Sequence, residues 1–522
     1  MEIAKKTGGA GSVESIDLPD EAATLALAKW AAGFALPGDF IALSGDLGAG
    51  KTTFVRAFLR TLLDDPELEA PSPTFTLMQV YEGPEFPAVH ADFYRLRGAE
   101  ELTQLGWDEA IEGAVTLVEW PNHAAEALPP DRLEIEFAFD VAKGPDFRRA
   151  EVRAFGTLAV RYARARAIEA LLRRAGWAEA RRVYLQGDAS VRAYERLSAS
   201  DGRTAILMIS PPRPDGPILR YGKPYAAIAK LSPDIRAYLA MAEGLRALGY
   251  SSPRVFAHSI ADGLALIEDF GVETVADERG PDAARYAEAT ALLADLHGRV
   301  LPRELPVDGE FYALPVYDAE AMLVEVELAL DWYAPAVART NPPSGARMQF
   351  LGLWRDALAP ILARPTTWTL RDYHSPNLHW LEDREGLQRL GLIDFQDAVL
   401  GPPAYDVASL LQDARVDVAD DLELRLLALY ARRRAAADPA FDAEAFAASY
   451  AVMGAQRATK ILGIFARLDK RDGKPQYLQH LPRIERRLAK NLAHPLLQPL
   501  KLWYQAHLPR ALGGDAQSPS ES

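Results

Sequence analysis

The segment GDLGAGKTT at residues 45–53 constrains this chain more than any other. It fits G-x-x-x-x-G-K-[ST], whose glycines let backbone N–H groups wrap phosphate oxygens at a helix N-terminus. Such a loop works only between a strand and a helix. Residues 39–44, DFIALS, read as the apolar strand and residues 52–63 as the helix. Gly45, Asp46, Leu47, Gly48, Ala49, Gly50, Lys51, Thr52 and Thr53 are therefore expected to surround a nucleotide's phosphates. Lys51 should reach the β- and γ-phosphates, while the Thr52 hydroxyl ligates Mg²⁺. Glu119 ends the apolar strand VTLVE and is the expected second holder of that ion, although a strand-end glutamate is also a common structural feature.

A second, unrelated constellation lies downstream. RDYHSPN at 371–377 and IDFQD at 393–397 supply an Asp, an Asn five residues later, and another Asp after an apolar strand. Kinase-type phosphoryl transfer uses such a set: Asp372 to orient or deprotonate a hydroxyl, Asn377 and Asp394 to hold Mg²⁺. IEDFG at 267–271 suits the hinge beneath adenine, which makes Glu268 a cofactor-binding candidate. LLADLHG at 292–298 suits a helix beneath the catalytic loop. Two ATP sites are therefore expected in one α/β chain.

With 522 residues the chain exceeds what one core usually serves. A P-loop α/β domain is expected over 1–155, with strands at 76–81, 88–92, 115–119 and 133–139. Residues 156–182 read as a basic helical connector packed on the following domain, or alternatively as a nucleic-acid patch, since 161–182 carries seven Arg against two Glu. Over 183–512, strands at 183–185, 194–197, 205–209 and 264–268 precede a mostly helical remainder, the two-lobed plan of kinase-like folds. The tail 513–522 reads as disordered.

Charge divides along the same line. The net charge is −15, and residues 1–155 hold 13 Lys and Arg against 27 Asp and Glu. A polyanion would be repelled by such a domain, so no direct nucleic-acid contact is expected from it, and its acidity is either a docking surface or ordinary solvated charge. There is no cysteine and no apolar run near the roughly 18 to 20 residues of a membrane span, from which a cytoplasmic protein is expected.

The blocks GDLGAGKTTFVRAFL, SPTFTL at 72–77, HADFYRL at 90–96 and LVEWP at 117–121 together resemble the TsaE family over residues 12–155. That resemblance implies the ATPase subunit of the machinery that makes threonylcarbamoyladenosine in tRNA, working with the other subunits of that machinery as protein partners. It implies switch-like behaviour around Thr74, a functional role for Asp92, and nucleotide contacts from Glu21 and Arg148; a plain strand-end pair is the alternative for His90 and Asp92.

Residues 165–510 resemble the aminoglycoside phosphotransferase-like kinases. GDASVRAYERL at 187–197, the run from Asp394 to Val416 and QRATKILGIFARL at 456–468 are most similar to the AmgK group, which phosphorylates the anomeric hydroxyl of N-acetylmuramic acid and N-acetylglucosamine in cell-wall recycling. The chain departs from the wider pattern twice. Leu370 stands where a catalytic-loop His is usual, and Met208 where a strand Lys usually pairs with phosphate; Arg192 is the expected replacement. The resemblance implies a bifunctional ATP- and Mg²⁺-dependent protein. A catalytically weakened regulator of the ATPase and an antibiotic phosphotransferase are the alternatives for its second half. Residues 451–510 carry 12 Lys and Arg against three Asp and Glu, which disfavours a polycationic antibiotic and makes Arg457 and Lys460 candidates for an acidic sugar.

Overall fold

The computed structural model describes residues 13–103, 105–185, 192–213 and 216–513, so nearly all of the expected tail at 513–522 lies outside the described residues. The chain forms two compact units, Met1–Ala170 and Leu171–Ser522.

The first unit is built on a seven-stranded sheet of β1 (Glu14–Leu18), β2 (Phe40–Gly45), β3 (Met78–Tyr81), β4 (Ala88–Asp92), β5 (Val115–Glu119), β6 (Leu133–Phe139) and β7 (Arg148–Ala154), in the order β1-β7-β6-β2-β5-β4-β3. The central β2 runs parallel to β5 and β6, and because both its faces are covered it reads as continuously apolar. Ile41 and Leu43 enter the core shared with the helices α1 (Glu21–Ala32) and α2 (Lys51–Leu62), while Phe40 and Ala42 enter a second core with Phe93 and Trp107. β1 and β7 went unrecognised in the sequence. The strand expected at 76–81 begins only at Met78, because residues 73–77 turn: Leu77 N–H donates to the Pro73 carbonyl at 2.6 Å and Leu77 has φ +65°.

The helix Gly156–Arg174 corrects the connector expectation. Leu158 and Tyr162 lie in the first unit's core, Arg161 pairs with Asp39, and Arg166 pairs with Glu14. Two of its arginines thus engage carboxylates of the first unit, at Asp39 before the central strand and at Glu14 on the edge strand.

The second unit opens with a five-stranded antiparallel sheet in which β8 (Arg181–Leu185), β9 (Ala193–Ser198) and β10 (Thr204–Ile209) continue into the strands Leu264–Glu268 and Val255–Ser259. The rest is mainly helical. Its longest helix, Ala443–Asp472, is capped by Asp442 on the Ala445 N–H and closed by Gly473 at φ +64°. Gly463 lets it approach the helix Ala319–Leu328 closely, for a Cβ there would lie 2.3 Å from the Leu328 carbonyl carbon. That approach brings Gln456 and Lys460 onto buried Glu325.

Two candidate phosphate sites

In the first unit the loop after β2 turns on Gly45, Gly48 and Gly50, all at positive φ. Gly45 is irreplaceable sterically, since a Cβ would lie 2.2 Å from the Phe137 carbonyl oxygen of β6. Lys51 folds back over the loop, donating to the carbonyls of Gly45 at 2.7 Å and Asp46 at 3.0 Å and sitting 3.9 Å from the Trp120 ring. Burial pulls its ammonium pKa below the ordinary lysine value, against the opposing fields of Glu119, Asp92 and Asp46. The Thr52 hydroxyl bridges both Glu119 oxygens at 2.9 and 3.0 Å, and buried His90 meets Glu119 at 3.0 Å.

Asp92 lies beside Glu119 in the β4–β5 register and gathers the 72–74 segment: Thr74 donates to it at 2.8 Å, as does Ser72, and the Tyr94 N–H at 2.9 Å. Sheet register puts Arg148 opposite both Phe139 and Leu18, at the end of the sheet where β2 delivers the loop. Glu21 opens α1 at that same end, immediately after the Asp20 cap, and Arg148 stacks on Phe139 at 4.1 Å.

Thr52 and Glu119 themselves offer oxygen donors, a fit to Mg²⁺, which prefers a few protein oxygens supplemented by phosphate and water, while the His90 ring nitrogen backs Glu119. Among the described residues no group of three or more His, Cys, Asp or Glu forms a larger cage.

In the second unit Asp372, Asn377 and Asp394 come together as expected. Asn377 donates to the Asp372 carbonyl at 3.0 Å and lies 3.4 Å from the Asp394 carboxylate. Asp394 stands two residues past the strand Leu390–Leu392, at φ +59°, rather than within a strand. Desolvation and the neighbouring Asp372 carboxylate push its carboxyl up to about 6, and Gln396 donates to it at 2.7 Å. The Asp394 carboxylate, close to that of Asp372 and beside the Asn377 carboxamide, suits a hard cation once the amide turns its oxygen inward; here Asn377 presents its nitrogen to Asp394.

Arg192, the expected replacement for the missing lysine, has its guanidinium 3.8 Å from Asp394 and donates to the Ser232 hydroxyl at 3.0 Å. Met208 is 1% exposed and belongs to an apolar core with Tyr238 and Met241, so that position carries packing instead of charge. Sequence reasoning missed Arg213, which donates to the Ser232 carbonyl at 3.3 Å, and Asp397, which accepts the Ser232 N–H at 2.6 Å. Asp397 stays ionised: despite its burial, Arg192 and Arg371 hold its carboxyl below the usual range.

Buried carboxylates hold the segment that carries Asp372. Where Leu370 replaces a histidine, buried Asp406 accepts the N–H groups of Leu370 at 2.6 Å and Arg371 at 2.9 Å. Asp413 holds Ser375 through its N–H and hydroxyl, and Tyr373 donates to the Ala289 carbonyl at 2.9 Å, fixing the loop on the helix Ala283–Leu296 as anticipated. Arg371 reaches the Ala229 carbonyl at 3.0 Å and pairs with Glu325.

Glu268 and Lys460 are differently engaged than expected. The Glu268 carboxylate is held by Arg384 at 2.6 Å and the Arg254 N–H at 3.1 Å, and its own N–H donates to the Arg254 carbonyl at 2.9 Å. Lys460, expected to meet the acceptor, is neutralised by Glu325 at 2.8 Å. Arg457, its partner in that expectation, is buried one turn away.

Comparison with known proteins follows the same division. The family model for threonylcarbamoyl adenosine biosynthesis protein TsaE matches residues 18–146, and that of the phosphotransferase enzyme family matches residues 182–446. The chain is 38% identical over 347 residues to an N-acetylmuramate/N-acetylglucosamine kinase of Caulobacter vibrioides, covering 64% of this chain and 94% of that protein. It is 31% identical over 320 residues to the enzyme of the same name from Neisseria meningitidis, covering 59% and 86%. A tRNA threonylcarbamoyladenosine biosynthesis protein TsaE of Rickettsia conorii is 39% identical over 118 residues, covering 23% of this chain and 67% of that protein. The chain thus belongs to the phosphotransferase enzyme family and carries, ahead of that domain, a member of the TsaE family.

Proposed function

We propose that this is a bifunctional protein: an ATPase of tRNA threonylcarbamoyladenosine synthesis joined to a kinase that phosphorylates the anomeric hydroxyl of N-acetylmuramic acid or N-acetylglucosamine. The kinase reading rests on one observation above others, the convergence of Asp372, Asn377 and Asp394 with Arg192 against Asp394. In this reading Asp372 orients the sugar hydroxyl and takes its proton, Arg192 and Arg213 steady the phosphates, and the Glu268 backbone faces adenine. Mg²⁺ held by Asn377 and Asp394 would offset the charge on the transferring phosphoryl group.

For the first unit, residues 45–53 hold the triphosphate, Thr52 and Glu119 hold Mg²⁺, and Glu21 and Arg148 flank the nucleotide. Asp92 acts as the catalytic-side carboxylate that couples the 72–74 segment to the site. A P-loop alone grips phosphate well but hydrolyses slowly until another element positions water. Partner subunits of the tRNA-modifying machinery are the fitting source of that element, and the acidic first unit favours a protein partner over direct tRNA contact. ATP demand at both sites favours a cytoplasmic setting.

Retention of all three carboxyl and amide ligands disfavours a regulator without catalysis. The cations Arg415 and Arg457 beside the loop disfavour a polycationic antibiotic. The test is transfer of labelled γ-phosphate by the wild-type chain to N-acetylmuramic acid, N-acetylglucosamine and kanamycin. Transfer to the amino sugars is expected; transfer to kanamycin alone, or to none of them, overturns the reading.

A further inference from the structure

Arg457 stands out among the buried cations of the second unit because nothing neutralises it. It projects from the helix Ala443–Asp472, is only 7% exposed, and has no hydrogen-bond or ion-pair partner among the described residues. Its neighbours are paired. Lys460, on the same helix, meets Glu325 at 2.8 Å, and the buried Arg487 meets Glu423 at 2.8 Å and Asp420 at 3.2 Å. The residue is largely buried while its guanidinium nitrogens keep some solvent access, so an incoming anion can reach a charge that the described residues leave without an acceptor.

The position of Arg457 says which anion. It lines a small cavity with Gln412, Gly454, Ala458, Ile484 and Arg487, and its charge acts on His374, two residues beyond Asp372. His374 in turn lies 3.4 Å from the Arg415 guanidinium. The carboxylates of this neighbourhood are otherwise engaged: Asp413 by Ser375 and the Arg415 N–H, Glu423 by Arg487, Lys490 and Tyr450. Positive charge is therefore in excess on one side of the residue that orients the acceptor hydroxyl.

We propose that Arg457 binds the carboxylate of an acidic amino-sugar acceptor, so that this site distinguishes N-acetylmuramic acid from N-acetylglucosamine by a charge-assisted, bidentate hydrogen bond. The inference rests on the kinase reading above. It separates Arg457 from Lys460, whose charge already belongs to Glu325 and the Arg371 side chain that Glu325 anchors.

The experiment measures kcat/KM for N-acetylmuramic acid and for its methyl ester, which removes the charge of the side chain at the addition of one methyl group. The wild-type ratio of acid to ester is expected to be about 100, and Arg457→Gln should bring it to about 1, as when a buried charge pair is lost. Arg457→Lys should restore part of the ratio, because a point charge remains without the planar fork. Lys460→Gln should lower both rates together and leave the ratio in place. A ratio unchanged in Arg457→Gln overturns the proposal, and so does a wild-type ratio near 1. Wild-type protein that phosphorylates neither N-acetylmuramic acid nor N-acetylglucosamine overturns the kinase reading and this proposal with it.

Discussion

In the first unit the candidate phosphate site is built mainly from backbone, whereas the described part of the second is built from side chains that buried carboxylates help to hold in place. Gly45, Gly48 and Gly50 present N–H groups at the start of α2, and only Lys51, Thr52 and Glu119 add side-chain chemistry. The second site has no such loop among its described residues. Asp406, Asp413 and Glu325 fix the segment that carries Asp372 and Asn377, and Asp394 and Arg192 reach it from other elements. A backbone grip tolerates little change in sequence, since a Cβ at Gly45 would collide with β6. In the second unit the position where a strand lysine was expected holds buried Met208, and Arg192 and Arg213 both meet Ser232 nearby.

The largest effect expected from this contrast is on chemistry at the second site. Asp372→Asn should lower sugar turnover by about 10²- to 10⁴-fold while ATP still binds, as expected when a general base is lost. Steady-state turnover alongside nucleotide titration reads the two effects separately. Undiminished turnover would remove Asp372 from the mechanism.

Next comes the scaffold. Burial alone would raise the Glu325 carboxyl, yet Lys460 and Arg371 hold it below the usual carboxylate range. A carboxylate with a lowered folded-state pKa adds stability above its unfolded value near 4.3, and that stability is lost as pH falls through the folded value. Glu325→Gln leaves two buried cations without their partner and should cost about 3–5 kcal/mol in denaturant unfolding of the second unit. The variant should also lose this group's share of the acid sensitivity below that value. Equal stability in variant and wild type would show that the cluster does not organise the site.

The smallest of these effects concerns the relocated clamp. Arg192→Ala should weaken kcat/KM for ATP by about 10- to 100-fold, the scale of one charge-assisted contact to a phosphate. The same readout with Met208→Lys should show no gain, because that side chain lies in an apolar core. A gain with Met208→Lys would mean that the strand position still faces phosphate.

What the sequence disclosed follows the same contrast. The P-loop was legible because a local backbone conformation dictates glycine at fixed spacing, and β2 and α2 on either side are strongly apolar or amphipathic. Asp372, Asn377 and Asp394 were legible as a spaced set. Asp406 was not, for it accepts the N–H groups of residues 35 and 36 positions earlier and nothing in PAYDVASLL announces that. Lys460 looked like a substrate ligand because its partner Glu325 lies far upstream and meets it only through the close approach at Gly463. β7 escaped notice because its polar positions alternate with Ala150, Val152 and Ala154, a pattern too weak to stand out over seven residues.

The central claim is that one chain carries two chemically separate ATP sites, and full-length Lys51→Ala tests it most directly. ADP release is measured with and without N-acetylmuramic acid, and with the partner subunits present. The account predicts that release without sugar disappears while the sugar-dependent release stays at the wild-type rate, since the loop carbonyls and the Trp120 ring that Lys51 meets all belong to the first unit. Loss of both activities in a folded Lys51→Ala protein would contradict it.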